Sequence, residues 1–379
     1  MSPALAAALL SGLAFAAEVD VAGKAVVQVA IVRQAESSML SPDGPVLVFP
    51  PKAKARPLEW KGALELRPRE GGLRLAGMKL PSETRLEPQD GGAIKVGANR
   101  YRGALILRLD PGQTVTVVEE LPLEEYLEGV LPHEMDPDWP LEALKAQAVV
   151  ARTFAYANMG KFRKDGFDLT ADTRSQVYRG LAAVNENVRA AVRQTRGEVL
   201  GWQGKILRVF YHSCCGGATE DAAMAWGGDL KETPPPLRGV KDSWCRTSPN
   251  FNWSAYFTWM DLMAAIQEKI PLPGPLTALK ISRRDRAGFV LSFIARAGRR
   301  NVEVKSSDLR QSLGAGELRS TKILRLARTQ GGLEFRGAGS GHGVGLCQWG
   351  TKLQALKGRS YDRILRFYFP GAVLSEVSE

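Results

Sequence analysis

Several absences narrow this sequence before any motif is considered. After the first few residues, no stretch approaches the about 18 uninterrupted apolar residues a membrane helix needs, so no further span is expected. The glycine-rich run at 337–345 is not followed by Gly-Lys-Ser/Thr, which excludes a P-loop. Cysteines number only four, and none forms the C-x₂₋₄-C element of common zinc modules. Residues 18–118 hold neither His nor Cys, so no catalytic constellation is visible there. Acidic residues are in deficit, 40 against 51 basic, for a net charge of +11. The basic residues are scattered rather than run together and no nucleic-acid module is present, so they read as solvated surface and nucleic acid is not an expected partner.

What is present describes an exported, globular chain. Its 379 residues, 44% apolar and 24% charged, suit two or three domains with a real core. Residues 3–16 are small and apolar, and Ala14-Phe15-Ala16 offers an A-x-A cleavage site, so 1–17 are expected to be a signal peptide. The expected location is the periplasm or cell envelope. From 18 to 118, short β-type runs (24–32, 46–49, 73–80, 93–96, 104–109, 114–118) alternate with Pro50-Pro51, Gly71-Gly72 and Gly91-Gly92. This predicts a β-rich N-terminal domain, followed over 119–372 by a mixed domain, hence an α+β fold.

The most informative stretch is 118–180. Pro132 and the Asp136-Pro137 step predict a non-helical connection between two helices, with Glu134 in it. Pro140 then opens a helix, with Asp138 or Trp139 near its cap. Leu141, Leu144, Ala148, Ala151 and Ala155 form one narrow small-residue face, and Lys145 and Arg152, seven apart, share another. Leu131, Met135 and Trp139 would partly desolvate Glu134 and raise its pKa.

Later segments add fewer candidates. A strand runs into Tyr211-His212-Ser213-Cys214-Cys215-Gly216-Gly217, whose turn would expose His212. An even cysteine count in an exported chain favours disulfides, and a zinc site of His212, Cys214, Cys215 and Cys245 is the alternative. The run at 337–350 removes side chains around His342 and leads to Gln348 and Trp349 at a helix start, and a helix is expected at 361–369. An amphipathic helix at 259–269 and strands at 276–283, 289–297 and 300–305 read as structural.

Three segments, PLEEYLEGVLPHEM (122–135), LEALKAQAVVARTF (141–154) and GSGHGVGLCQWG (339–350), resemble the hallmarks of the SpoIID/LytB family, named for a stage II sporulation protein and an amidase enhancer. The resemblance covers roughly 121–371. It implies binding to peptidoglycan glycan strands and lytic transglycosylase activity, in which the muramic acid 6-hydroxyl closes onto C1 and leaves a 1,6-anhydro end. Because the nucleophile belongs to the sugar, Glu134 alone would act as acid and then as base. Lys145 and Arg152 are assigned to the lactyl carboxylate, acetamide oxygens or developing charge. Gln176, Tyr178, His212, His342 and Gln348 are assigned to sugar hydroxyls, and Trp349 and Tyr178 to stacking on sugar faces. The resemblance also implies a Cys215–Cys245 disulfide. Some members hold zinc through Cys and His-Cys just before the Gln corresponding to Gln176; here Arg174 and Ser175 stand there, so that site cannot be built and no cofactor is expected. The other branch implies a different role, a non-catalytic glycan-binding enhancer with a cell-wall amidase as partner.

Overall fold

Strands dominate the chain up to Pro122 and helices carry the candidate chemistry after it, which makes the fold α+β. The structure is a computed structural model and describes residues 26–49, 56–58, 62–226, 228, 231 and 233–377. The expected signal peptide lies outside the described residues. Among those described, no helix is long and apolar enough to cross a membrane.

Two sheets share one apolar core. One has seven strands in the order Leu169–Thr170, Val26–Ala35, Val115–Pro122, Ala104–Leu109, Glu83–Pro88, Val46–Phe49, Arg56–Leu58. The other has six, in the order Asn99–Tyr101, Ile94–Val96, Ser38–Pro42, Leu64–Arg69, Gly72–Leu75, Met78–Leu80. Val46–Phe49 and Ala104–Leu109 fall at their expected limits. Glu83–Pro88 was not expected, because its inward residues are only Thr84 and Leu86 while Glu83, Arg85 and Glu87 face outward. The same buried cluster continues from Val27 and Val29 through the helices to Phe369.

The strand Val115–Pro122 connects sheet to helix and holds a buried acid. Glu119 is fully buried; its carboxylate accepts the Gly103 N–H at 2.9 Å and the Tyr178 hydroxyl at 2.6 Å. Burial outweighs these bonds and pushes Glu119 from 4.5 up to about 7. The folded protein therefore binds a proton that the unfolded chain releases at lower pH. This contribution to stability is whole below pH 4.5 and is lost as pH rises through about 7. Glu119→Gln should flatten that part of the pH–stability profile in denaturant titrations at stepped pH; an unchanged slope would contradict it.

Helix α1, Leu123–Glu134, starts directly from the strand, with Pro122 at its cap and Glu124 and Glu125 in its first turn. Leu123, Tyr126, Leu127, Val130 and Leu131 bury one face. Contrary to the expectation, Pro132 lies inside this helix and Glu134 is its last residue, not part of a loop. A proline in the final turn forfeits only one helical bond, and the Met135 N–H still reaches the Leu131 carbonyl at 2.9 Å. The connection is confined to 135–140.

Helix α2, Leu141–Asn158, follows Pro140, with no side-chain cap. Leu144, Ala148, Ala151 and Ala155 are fully buried, as the small-residue face predicts. The other predicted face is not a substrate face. Arg152 is fully buried and grips Glu124 of α1 through two bonds, Nε at 2.7 Å and Nη2 at 2.6 Å. It also donates to the carbonyls of Glu198 and, from helix α3 (Glu186–Gln194), Val192. Lys145 pairs with Glu142 at 2.8 Å and lies over the Tyr361 ring. Neither cation is bonded to Glu134.

A short helix α4, Ala222–Trp226, precedes a second apolar cluster, formed within 253–335. Here helix α5, Trp259–Gln267, is closed by a capping box between Thr258 and Asp261, as an amphipathic helix at this place requires. The strands Leu276–Arg284, Val290–Ala297 and Arg300–Lys305 match the expected ones, and helix α6, Ser306–Leu313, follows. Helices α7, Gln348–Leu356, and α8, Tyr361–Tyr368, return the chain to the main core.

Candidate active site

Glu134 ends α1 with its carboxylate turned toward the segment 171–180. Its Oε1 accepts the Val177 N–H at 3.0 Å, and a second bond comes from the Tyr211 hydroxyl. Gly129, one turn earlier, allows this approach: a Cβ there would stand 2.5 Å from both the Gly180 carbonyl and the Tyr178 ring. Burial raises the Glu134 pKa, and the Val177 and Tyr211 bonds partly oppose it. The Glu134 side chain nevertheless keeps some access to solvent. A desolvated, hydrogen-bonded and reachable carboxyl whose pKa is raised is suited to giving and taking a proton.

A chain of neutral hydrogen bonds supports it. The Tyr126 hydroxyl donates to Gln176 Oε1, and Gln176 Nε2 donates to the Tyr211 hydroxyl, each at 3.3 Å. Gln176 Nε2 also donates to the Ala151 carbonyl of α2 at 3.4 Å. Tyr126 and Glu134 are eight apart in α1 and so share a face. The negative charge of Glu134 and, above all, burial hold both tyrosines well above their usual pKa, so each stays a hydroxyl. Tyr211 and Tyr126 were not among the sequence-derived candidates. The E-x-Y element of 124–126 was the signal for Tyr126, but it could be used only once Glu134 was known to be helical.

Several predicted contact residues are structural. Gln176 is fully buried and reaches Tyr211 rather than a ligand. Tyr178 is buried against Tyr126 and Tyr101, its hydroxyl engaged by Glu119, so it has no face for a sugar. His212 is buried rather than exposed, with Nδ1 donating to the Val344 carbonyl at 3.1 Å. Burial lowers His212 to about 4 and His342 to about 3, so both are neutral at physiological pH.

His342 is half-buried; its Nδ1 accepts the Val344 N–H, and a further bond reaches the Tyr211 backbone. The Gly-rich run thus steadies Tyr211. Gly345, at φ +75°, lets it pass the Phe210 carbonyl, which a Cβ would meet at 2.1 Å. Gln348 is nearly buried at the first position of α7.

Two aromatic groups remain partly accessible. Trp349 packs edge-on against Trp139 of the α1–α2 connection, centroids 5.1 Å apart, and the Lys352 ammonium lies over both rings. Phe210, His342 and the half-exposed Trp226 form the other. Trp139 follows Glu134 by five residues and Phe210 adjoins Tyr211, so both groups are attached to the segments that hold the carboxyl. An apolar pocket in the second core, lined by Trp259, Ile281, Leu326 and Arg328 among others, offers no acid or imidazole for chemistry.

Comparison with known proteins identifies the family of the segment that carries Glu134. A family model described as "Stage II sporulation protein" matches residues 111–202, which include Glu119, Glu134 and Gln176. A stage II sporulation protein D of Bacillus amyloliquefaciens is 31% identical over 277 residues, covering 68% of this chain and 76% of that protein. An uncharacterized protein of Brachyspira hyodysenteriae is 34% identical over 286 residues, 75% of this chain and 74% of that one. An amidase enhancer of Bacillus subtilis is 31% identical over 290 residues, covering 66% of this chain but only 40% of the relative.

Proposed function

This chain belongs to the stage II sporulation protein D family, and from that premise we propose that it is a cell-envelope protein that cleaves peptidoglycan glycan strands as a lytic transglycosylase. The observation that carries the reading is the desolvated carboxyl of Glu134 at the end of α1, held by the Val177 N–H and the Tyr211 hydroxyl. Hydrolysis by an ordinary glycosidase calls for two carboxyl groups, whereas an internal nucleophile needs one. Protonated Glu134 gives its proton to the glycosidic oxygen between N-acetylmuramic acid and N-acetylglucosamine, and the C1–O bond breaks. The resulting carboxylate then takes the proton of the muramic acid 6-hydroxyl as that oxygen bonds to C1. No water is consumed, and Glu134 ends protonated, ready for another turnover.

Tyr211 tunes both steps. Its hydroxyl favours the carboxylate, so Tyr211→Phe should raise the Glu134 pKa and move the alkaline limb of the pH–rate profile upward. The rate at the optimum should fall on the order of tenfold, the worth of one hydrogen bond to a charged group. A profile that shifts downward would show that Tyr211 does not donate to Glu134. Trp139, Trp349 and Trp226 are the aromatic surfaces proposed to meet sugar faces.

The testing experiment is mass spectrometry of glycan-strand and sacculus digests. Products ending in 1,6-anhydro-muramic acid support the reading, and reducing ends would replace it with hydrolysis. The similarity to an amidase enhancer favours a second reading, a glycan-binding partner of a cell-wall amidase. Tight strand binding with no cleavage, and faster turnover of an added amidase, would select it.

A further inference from the structure

The four cysteines converge beneath the strand that carries Tyr211. Three of their sulfurs and one carboxylate oxygen, from Cys215, Cys245, Cys347 and Asp242, all lie within 4.8 Å of one another and are buried. We propose that these four residues form a structural site for one tetrahedral, thiolate-binding divalent ion, zinc by its chemistry. Tetrahedral Zn–S bonds of about 2.3 Å place ligand sulfurs about 3.8 Å apart, and this cluster needs only small adjustments to meet that spacing. Cys215 Sγ already stands 3.3 Å from Cys245 Sγ and 3.2 Å from Asp242 Oδ2.

The surroundings are those of bound thiolates. Cys347 caps α7, and its sulfur accepts the N–H groups of Cys215 at 3.3 Å and Gly350 at 3.4 Å. Asp242 is oriented from outside, by the Trp244 N–H at 2.8 Å and the Tyr368 hydroxyl at 2.9 Å, as a ligand's outer partners would do. The buried Lys322 ammonium donates to the carbonyls of Cys215 and Ala218, each at 3.5 Å, and so brings a positive charge to the segment that carries Cys215.

A Cys215–Cys245 disulfide is the competing use of the same sulfurs. It would consume two thiols and leave Cys347 and the Asp242 carboxylate buried against it, the carboxylate without an ion-pair partner among the described residues. A buried charge in that state is costly. A divalent ion satisfies all four groups. The site also differs from the zinc set of His212, Cys214, Cys215 and Cys245 expected from sequence: His212 Nδ1 is bonded to Val344, and Cys347 and Asp242 take part instead.

The test is metal analysis of the full chain, purified without chelator or reductant, with thiols counted in denaturant. The expected result is one zinc per chain and four titratable thiols after chelation. The cobalt-substituted form should show a thiolate-to-metal charge-transfer band, and chelation should lower the Tm. Cys245→Ser, Cys347→Ser and Asp242→Asn should each lose the ion, whereas Cys214→Ser should keep it. Metal-free protein would overturn the proposal, whether it has four free thiols or two fewer from a disulfide. Loss of the ion in Cys214→Ser with retention in Asp242→Asn would overturn the ligand set.

Discussion

Replacing Glu134 by Gln is expected to reduce strand cleavage by about 10²–10⁴-fold, the usual share of a general acid–base group, while leaving glycan binding intact. Glutamine has nearly the same shape, and its Oε1 can still accept the Val177 N–H. What it loses is the transferable proton, which both steps of the proposed reaction need. Stability should not suffer. Burial raises the Glu134 pKa in the folded state, so the wild type loses this stabilisation as pH rises above the unfolded value of 4.5, and the variant does not. The variant's Tm should therefore gain on the wild type toward alkaline pH. Mass spectrometry of digests, beside sedimentation with sacculi, separates the effects. Cleavage at the wild-type rate by Glu134→Gln would rule out this carboxyl as the acid.

Arg152 should behave in the opposite way. Arg152→Met removes a fully buried guanidinium from the partly buried Glu124 and from two carbonyls, and should destabilise the fold by about 3–5 kcal/mol. The loss arises chiefly from leaving one charge of a buried pair without its partner. Glu124→Met combined with Arg152→Met should therefore recover much of it, since an apolar pair of similar volume is often neutral there. Chemical denaturation of the two single variants and the double gives this coupling directly. Per folded molecule, the Arg152 variant should keep an unchanged KM for strands. A raised KM in well-folded protein would return Arg152 to the substrate-binding role its spacing suggested.

That reversal shows where sequence reasoning failed. Lys145 and Arg152 do share a helical face, as their spacing of seven dictates, but period alone does not say whether a face meets a groove or a core. Arg152 meets α1 because Glu124, 28 residues earlier, is brought opposite it. Gln176 and His342 were assigned to sugar hydroxyls. Their bonds go to Tyr211, which reaches Glu134 only when the strand near 211 packs against α1 and α2.

The sequence by itself determined the α+β composition, the buried small-residue face of α2 and the family. Each depends on local pattern or on residues close together in the chain, so the linear order carries it. Tertiary structure alone decided that Pro132 stays helical, that Tyr211 and Tyr126 support the carboxyl, and that Cys347 and Asp242 join Cys215 and Cys245. These depend on contacts across tens to more than a hundred residues, set by how helices and strands bury their apolar faces together. Hydrogen bonds and thiol clusters of that kind form only after the packing is complete, and no local period in the chain encodes them.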